Sequence, residues 1–300
     1  MIRAGIDIGT NTILMVVGVL NAPDGEWTIL EDVHRIARLG EGLDASGSIN
    51  QGAVERASAI LRDYKLICEA LRVESIAAVG TSALRNANNG VEVRKLLETQ
   101  IGVPIDVIGG LEEANITFAG VAGKFSKPCT VIDIGGGSSE YISGFSRIVY
   151  SAHSVEFGAV RFTERFGLGD LPTRQNVCMA RDFVQRELAS VKVTLRSYPN
   201  EDLIAVAGTP TSLAILDLGL TKFEKEKVDG HVLQLGAISY WTERLLEMSR
   251  QERSTLPGID PNRVDILPAG ALILEQSLRD LDYDRCLVSV KGLRFGVMMR

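Results

Sequence analysis

Short apolar runs separated by polar residues and glycines open the chain. Residues 2–8 and 14–20 are continuous or alternating apolar runs, and residues 27–33 form a third. Runs of this length are typical of β-strands that lie at least partly in a protein core. Residues 38–47 are polar and punctuated by glycine. The pattern predicts three strands followed by a loop.

From Asn50 onward the apolar residues change to a helical spacing. Asn50 is a suitable N-cap, because its side chain can accept a hydrogen bond from the first helical turn. The spacing predicts a long amphipathic helix over residues 50–71. Its apolar face is formed by Val54, Ala57, Ile60, Leu61, Tyr64, Ile67, Cys68 and Leu71.

Strand and helix patterns alternate along the rest of the chain, which predicts an α/β fold. A strand at residues 76–79 leads into a short helix capped by Thr81 or Ser82. The remaining expectations are helices at residues 91–99, 111–123, about 228–249 and 269–281, strands within 103–110 and 145–155, and strand–turn–helix units at 203–216 and 286–299.

The composition is that of a globular protein. Of 300 residues, 45% are hydrophobic and 23% are charged, which excludes a disordered chain. The net charge of −6 argues against general nucleic-acid binding, which depends on distributed positive charge. No apolar run approaches the roughly 18 residues of a membrane helix, and Asp7 interrupts the segment where a signal peptide would be apolar. A cytoplasmic protein without nucleic-acid or membrane partners is expected.

Cysteine and histidine chemistry is not expected. The three histidines do not cluster with one another or with acidic residues. The cysteines are scattered and have mostly apolar neighbours, which favours reduced core thiols over disulfides or a zinc site. They are Cys68, Cys129, Cys178 and Cys286.

A strand that ends in Asp-Ile-Gly occurs twice. The sequence reads AGIDIGTNTI at residues 4–13 and VIDIGGGSSE at residues 131–140. Such strand ends lie at the edge where open α/β sheets bind ligands, and glycines let backbone N–H groups approach an anion. The repeat therefore predicts two domains, each with a phosphate-binding turn. The candidate ligands are Asp7, Gly9, Thr10, Asn11 and Thr12 in the first turn and Gly135, Gly136, Gly137, Ser138 and Ser139 in the second.

Two carboxylates, Asp133 and Glu140, flank the second turn. Mg²⁺ prefers oxygen ligands and keeps much of its water. These two residues, with Asp7 as a third candidate, are predicted to hold Mg²⁺, or Mn²⁺ in its place. A tight turn without a ligand is the alternative, which the repetition of the motif makes the weaker interpretation.

Two further turns carry candidate phosphate ligands. The segment AVAGTPTSLA, residues 205–214, follows another apolar strand and offers Gly208 and Thr209, although such turns are common in loops. Arg85, in TSALRNA, is predicted on the first turn of a short helix, where a bidentate contact with phosphate is favourable. An ordinary surface arginine is the alternative.

Glu112 and Glu113 begin a helix directly after a strand and two glycines. Acidic residues at this position are ordinary capping chemistry. If both domains bind phosphate, a carboxylate on the segment between them could also orient and deprotonate a water molecule.

Seven motifs in order along nearly the whole chain resemble those of the exopolyphosphatase and guanosine pentaphosphate phosphohydrolase (Ppx/GppA) family. They are IDIGTNT, GTSALRNAN, GGLEEA, VIDIGGGSSE, AGTPTSLA, DILPAGA and GLRFG. This family belongs to the superfamily of actin, hexokinase and the Hsp70 ATPase. The resemblance implies two ribonuclease-H-like lobes with an interdomain cleft. It places one lobe at residues 1–118, with a segment from about 292 to 300 packed back on it, and the other at residues 119–291.

The resemblance also implies Mg²⁺-dependent hydrolysis of a terminal phosphoanhydride by in-line attack of water. In this family pattern Glu113 positions the water, with Glu112 as the alternative, and Arg85 clamps a phosphate. Lys291 and Arg294, in the last motif, are either anion contacts or surface charges. Catalysis of this kind consists mostly of positioning and charge neutralisation.

Inorganic polyphosphate and guanosine pentaphosphate both fit this chemistry as substrates. A nucleotide needs a pocket for its base, and an aromatic content of 6% without a cluster near the motifs favours polyphosphate. The C-terminal helical region of longer relatives is absent from this short form, which favours short chains. A kinase or a non-catalytic phosphate sensor of the same fold is disfavoured by GLEEA and by the presence of Glu113 and Asp133. A homodimer is the expected assembly.

Overall fold

The computed structural model describes residues 1–21, 27–123, 125–198 and 202–300. These residues form two compact units. Unit 1 contains Met1–Val121 and Leu293–Arg300, and unit 2 contains Ala122–Gly292. The chain therefore passes from unit 1 to unit 2 once and returns at its C-terminal segment.

Strands of both units were expected from the apolar runs, and the described residues form two sheets. The strands are β1 Ile2–Ile8, β2 Thr12–Leu20, β3 Trp27–Ile36, β4 Ser75–Gly80, β5 Ile105–Val107, β6 Cys129–Ile134, β7 Ser139–Phe145, β8 Ile148–Val155, β9 Asp202–Val206, β10 Val232–Gln234 and β11 Arg285–Ser289.

Helices follow or connect most of these strands. They are α1 Leu43–Ser46, α2 Gln51–Ala70, α3 Ser82–Asn86, α4 Gly90–Ile101, α5 Gly110–Ala122, α6 Ala159–Phe166, α7 Arg174–Arg196, α8 Gly208–Asp217, α9 Lys225–Val228, α10 Leu235–Glu247, α11 Arg250–Arg253, α12 Leu267–Asp280 and α13 Leu293–Met298. Among the described helices, none is both long and apolar enough to cross a membrane.

The two sheets have the same strand arrangement. In unit 1 the order is β3-β2-β1-β4-β5, with β1, β4 and β5 parallel and β2 and β3 each antiparallel to the strand before it. In unit 2 the order β8-β7-β6-β9-β11 repeats this arrangement, and β10 adds an antiparallel edge strand. The predicted α/β fold is confirmed, and the structure shows that both of its sheets are mixed. The carboxyl ends of the parallel strands lie at one edge of each sheet, where ligands bind in such folds.

The amphipathic helix predicted from Asn50 is confirmed as α2. The Asn50 side chain caps it by accepting a hydrogen bond of 2.8 Å from the Ala53 N–H. On its buried face, Tyr64 is 1% exposed, and its hydroxyl donates to the Ile13 carbonyl at 2.8 Å. This contact fastens α2 to the strand that follows the first predicted phosphate turn.

Two predicted segments differ from the structure at glycines with positive φ. Within the expected loop at 38–47, Gly42 and Gly47, at φ +69° and +68°, bracket the one-turn helix α1. The single helix expected at about 228–249 is instead broken near Gly230, at φ +88°. The edge strand β10 pairs there with β11 before α10 begins.

The 23-residue helix α7 lies in a segment for which the sequence patterns above make no prediction. Its buried residues nevertheless follow a helical spacing, and the Thr173 hydroxyl caps its first turn by accepting from the Asn176 N–H at 3.1 Å. The signal is therefore present in the sequence. The buried residues are Ala180, Val184, Leu188, Val191 and Leu195.

The N-terminus of α6 packs directly against the turn that joins β6 to β7. The Ala159 N–H donates to the Gly135 carbonyl at 2.9 Å, and the next two residues donate to the Gly136 carbonyl at 2.9 and 3.2 Å. Gly158, just before α6, lies so close to this turn that a Cβ atom would be 2.6 Å from the Gly135 oxygen and from the Gly136 carbonyl carbon. The approach of α6 therefore fixes where the carbonyl groups of the glycine run point.

The Gly158→Ala substitution is expected to lower the free energy of unfolding by about 2 kcal/mol, the scale of overpacking in a close-packed site. The backbone dihedral angles of Gly158, φ −145° and ψ 177°, are also accessible to alanine. The loss of stability therefore arises from the collision of the new Cβ atom with the backbone of residues 135–136. Equilibrium unfolding in urea, followed by circular dichroism, measures this change. Gly236→Ala is the matched control, because a Cβ atom there meets no atom within 4 Å and alanine favours the helix by up to about 1 kcal/mol. Equal stabilities of the two variants would contradict this account.

Three of the four cysteine thiols are expected to resist alkylation in the folded protein. Burial raises the pKa of Cys68 to about 11 and that of Cys129 and Cys286 to about 12, and the thiolate is the reactive form. All four thiols are free, and only Cys178 is exposed, which corrects the expectation of a core position for that residue. Iodoacetamide near pH 7.5 should therefore label one thiol in the native protein and four in denaturant, as counted by mass spectrometry. The Cys178→Ser variant should show no native labelling; rapid native labelling of Cys129 would refute the burial.

Candidate active site

One hydrogen bond closes the turn between β1 and β2. The Gly9 N–H donates to the Thr12 carbonyl at 3.0 Å. Asp7, the last but one residue of β1, is 9% exposed, and its Oδ1 atom lies 3.8 Å from where a Cβ atom of Gly9 would be. The Asp7 carboxylate therefore lies beside this turn.

Residues 37–40, which follow β3, bind the carbonyl groups of this first turn. The Gly40 N–H donates to the Thr10 carbonyl at 2.8 Å, and two neighbouring N–H groups donate to the Asn11 carbonyl at 3.0 and 2.9 Å. In a planar trans peptide the C=O and N–H groups point in opposite directions. Because the Thr10 carbonyl points to Gly40, the Asn11 N–H of the same peptide points away from residues 37–40.

The turn between β6 and β7 has the same backbone arrangement, 126 positions later in the chain. The Gly135 N–H donates to the Ser138 carbonyl at 3.0 Å. Since α6 binds the carbonyls of Gly135 and Gly136, the N–H groups of Gly136 and Gly137 point away from α6. Neither of these N–H groups donates to another residue in the described part of the chain. The turn thus presents adjacent N–H groups, which is the arrangement that binds oxyanions.

Two carboxylates face each other beside this second turn. Asp133 and Glu140 are paired residues of the β6–β7 ladder, so their side chains lie on the same face of the sheet. Glu140 is 1% exposed and accepts a hydrogen bond of 2.8 Å from the Ser154 hydroxyl. Like charges placed directly opposite each other destabilise a sheet, and a cation bound by both carboxylates would remove that cost. At the position of unit 1 that corresponds to Glu140, the chain has Leu14.

The donors of this carboxylate pair suit Mg²⁺. Mg²⁺ is typically held by one or two carboxylates, several waters and substrate phosphates, rather than by a complete set of protein ligands. No group of three or more His, Cys, Asp or Glu in residues 1–21, 27–123, 125–198 and 202–300 is placed to hold a metal ion. Asp133 and Glu140 therefore fit a hydrated ion that shares its coordination with phosphate. Asp7, the third predicted ligand, lies beside the first turn in unit 1.

Arg85 and Glu113 meet at the carboxyl ends of β4 and β5. Arg85, on α3, donates from Nη1 to the Ile108 carbonyl at 2.8 Å, and the same atom lies 3.4 Å from Glu113 Oε2. Glu113 is in the first turn of α5, and its side chain is only 11% exposed. The predicted phosphate clamp and the predicted base are therefore in direct contact.

Glu112 points elsewhere. Its side chain is 50% exposed and forms an ion pair of 2.8 Å with Arg300. Consecutive residues of a helix project about 100° apart, so only one of the two glutamates can face Arg85. The packing of α5 turns Glu113 toward Arg85 and Glu112 toward Arg300.

The third predicted turn, between β9 and α8, contains a strained residue. Ala207 has φ +80° and ψ −166°, a region that is essentially reserved for glycine and that costs about 1–3 kcal/mol. The Thr211 hydroxyl donates to the Ala207 carbonyl at 2.9 Å and holds the turn in this conformation. Strain of this kind is found most often where a ligand is bound.

The hydroxyl groups of Ser139 and Thr209, both predicted to bind phosphate, have different surroundings in the structure. The Ser139 hydroxyl donates to the Phe157 carbonyl at 2.7 Å. The Thr209 hydroxyl packs so tightly against α12 that a Cβ atom at Gly270 would overlap it. The Ser139 hydroxyl proton is therefore used within the protein, whereas Thr209 stays a predicted phosphate ligand.

Arg294, in the last motif, is also engaged within unit 1. Its Nε and Nη2 atoms donate to both carboxylate oxygens of Asp32, at 2.8 and 3.2 Å. This bidentate pair is 12% exposed on the arginine side. Arg294 therefore fastens α13 to β3 and is neither of the two alternatives expected for it.

Arg263 is a candidate site residue that the sequence patterns do not single out. Its guanidinium lies over the first residue of α8, where a Cβ atom at Gly208 would overlap it. Burial lowers the pKa of this guanidinium, and the neighbouring Asp260 carboxylate raises it, but arginine remains charged near neutral pH. Its position two residues before the DILPAGA motif is the one signal that could have drawn attention to it.

Comparisons with known proteins identify the family of the chain. The model of the Ppx/GppA phosphatase family matches residues 19–300. Exopolyphosphatase 2 of Mycobacterium tuberculosis is 33% identical over 99% of this chain and 97% of its own. The crystal structure of the Aquifex aeolicus Ppx/GppA family member aligns with a TM-score of 0.83 at 30% identity, over 99% of this chain and 96% of its own. An exopolyphosphatase of Cytophaga hutchinsonii aligns with a TM-score of 0.91 at 26% identity, over 100% and 97%. The chain is therefore a hydrolase of the Ppx/GppA phosphatase family.

Proposed function

We propose that the protein is an exopolyphosphatase that releases orthophosphate from the end of inorganic polyphosphate, with a preference for short chains. The duplicated turn supports this most directly, because each copy ties its carbonyl groups to another element and turns N–H groups away from that element. Polyphosphate offers only phosphate oxygens for recognition, and N–H groups together with arginines recognise such oxygens. The naming of a 33% identical relative as an exopolyphosphatase supports the same substrate.

Each candidate residue has a part in this reaction. Glu113 orients the attacking water and accepts its proton as the terminal P–O–P bond breaks. Arg85 and Arg263 bind phosphate oxygens and offset their charge. Asp133 and Glu140 would hold Mg²⁺ or Mn²⁺, and Asp7 stays a predicted metal ligand beside the first turn. When bound, the metal ion neutralises phosphate charge.

The substrate is tested by measuring phosphate release from short polyphosphate, long polyphosphate, guanosine pentaphosphate and ATP. We expect the highest kcat/KM on short polyphosphate, and we expect EDTA to abolish activity that Mg²⁺ then restores. Faster release from guanosine pentaphosphate than from either polyphosphate would instead identify a guanosine pentaphosphate 5′-phosphohydrolase. No release from any of the four compounds would rule out the proposed function.

The Glu113→Gln variant is expected to lose at least about 100-fold in kcat, the scale of general-base catalysis, with a smaller change in KM. The matched variant Glu112→Gln removes an equal charge from the adjacent residue. It should retain kcat within about threefold, because Glu112 lies in an exposed pair with Arg300 and exposed pairs contribute little. Steady-state kinetics on short polyphosphate measure both variants. Equal losses in the two would show that the contact with Arg85 does not distinguish the base.

A further inference from the structure

Arg253 is a fully buried arginine in unit 2 whose hydrogen bonds all go to backbone carbonyl groups. It is 0% exposed and ends the short helix α11. Its Nη1 atom donates to the Val264 carbonyl at 2.6 Å. Its Nη2 atom donates to the Gly169 and Asp170 carbonyls at 3.0 and 2.9 Å, and Nε donates to the Ser249 carbonyl at 3.4 Å. One side chain thus joins three separate chain segments.

A charge in this position is costly. Burial lowers the pKa of the Arg253 guanidinium, whereas the carboxylates of Asp170 and Asp265 raise it. Apolar residues of similar volume often replace buried charges without loss of stability. The arginine therefore requires an explanation other than core stability, and its fixed fork of donors suits the placement of backbone.

The helix α11 does not need Arg253 to form. Ser249 and Glu252 close its N-terminus with a reciprocal capping box. The Arg250 N–H is bound separately by the Asp170 carboxylate at 2.7 Å. The hydrogen bonds of Arg253 to Gly169, Asp170 and Val264 therefore serve segments outside α11, and the bond to Val264 is the shortest of them.

Val264 directly follows Arg263, the residue whose guanidinium lies over Gly208. The Arg263 N–H donates to the Asp260 carbonyl at 2.9 Å, and the Arg263 carbonyl accepts from the N–H of Leu267, at the start of α12, at 2.9 Å. The bond from Arg253 to the Val264 carbonyl fixes the next peptide. The backbone of Arg263 is thus held on both sides, which fixes the direction in which its side chain leaves the backbone.

We propose that Arg253 is a positioning residue that holds the backbone of Arg263, so that the Arg263 guanidinium stays at the N-terminus of α8 to bind a phosphate group of the substrate. The proposal rests on the proposed function, because it takes polyphosphate oxygens as the ligand of Arg263. Arg253 itself touches no substrate.

A double-mutant cycle tests this role with short polyphosphate as substrate. Arg253→Lys keeps the charge but loses the forked donors, and we expect it to lower kcat/KM about tenfold in the parent protein. In an Arg263→Gln background the same change should lower kcat/KM less than twofold, because the group that Arg253 positions is already absent. If Arg253→Lys does not fold, as judged by circular dichroism, Arg253→Met takes its place, since an apolar side chain of similar length suits the buried site.

Glu275→Gln is the control for a general loss of stability in unit 2. Glu275 is 1% exposed and is paired with Arg181 and Arg279 at 2.7 and 2.9 Å, away from the residues placed in the site. It should lower the melting temperature without changing kcat/KM more than twofold. Equal losses of kcat/KM for the Arg253 variant in both backgrounds, or no loss in either, would overturn the positioning role while the parent enzyme remains active. An inactive parent enzyme would overturn the proposed function as well.

Discussion

A turn can hold an anion only if its carbonyl oxygens face elsewhere, and both turns of this protein meet that condition through hydrogen bonds from another element. Residues 37–40 bind the carbonyls of the first turn, and the N-terminus of α6 binds those of the second. Both segments follow the third strand of their sheet, β3 in unit 1 and β8 in unit 2. The shared topology therefore brings an equivalent segment to each turn, and the planar peptide then determines where the N–H groups point.

The duplication is symmetric in backbone but not in chemistry. Unit 1 contributes a cation and a carboxylate in contact, Arg85 and Glu113. Unit 2 contributes the opposed carboxylates Asp133 and Glu140, of which the second has an apolar counterpart in unit 1. Hydrolysis of a phosphoanhydride needs both charge neutralisation and a base for the attacking water. The two units therefore present different chemical groups on equivalent backbones.

Features encoded by neighbouring residues could be predicted from the sequence, and features that depend on distant packing could not. The Asp-Ile-Gly turns and the Asn50 cap are local, and the structure contains them as predicted. Glu112 and Glu113 are equivalent in sequence, and only the packing of α5 separates them. The hydroxyl of Ser139 donates to the Phe157 carbonyl, a tertiary contact that no local pattern reveals. Arg263 reaches Gly208 across 55 positions of chain, which places it beyond any motif.

Unit 2 contains several energetically unfavourable features that the fold itself does not require. Ala207 occupies a conformation suited to glycine, Arg253 is a buried charge bound only to carbonyl groups, and Glu140 is a buried acid opposite another acid. The first turn demonstrates that the same hairpin forms with a leucine in place of Glu140, so the acid is not needed to build the turn. Two of these residues flank predicted phosphate turns, and the third holds the segment of Arg263. Energetic costs that are avoidable in the same fold are better explained by a ligand than by stability.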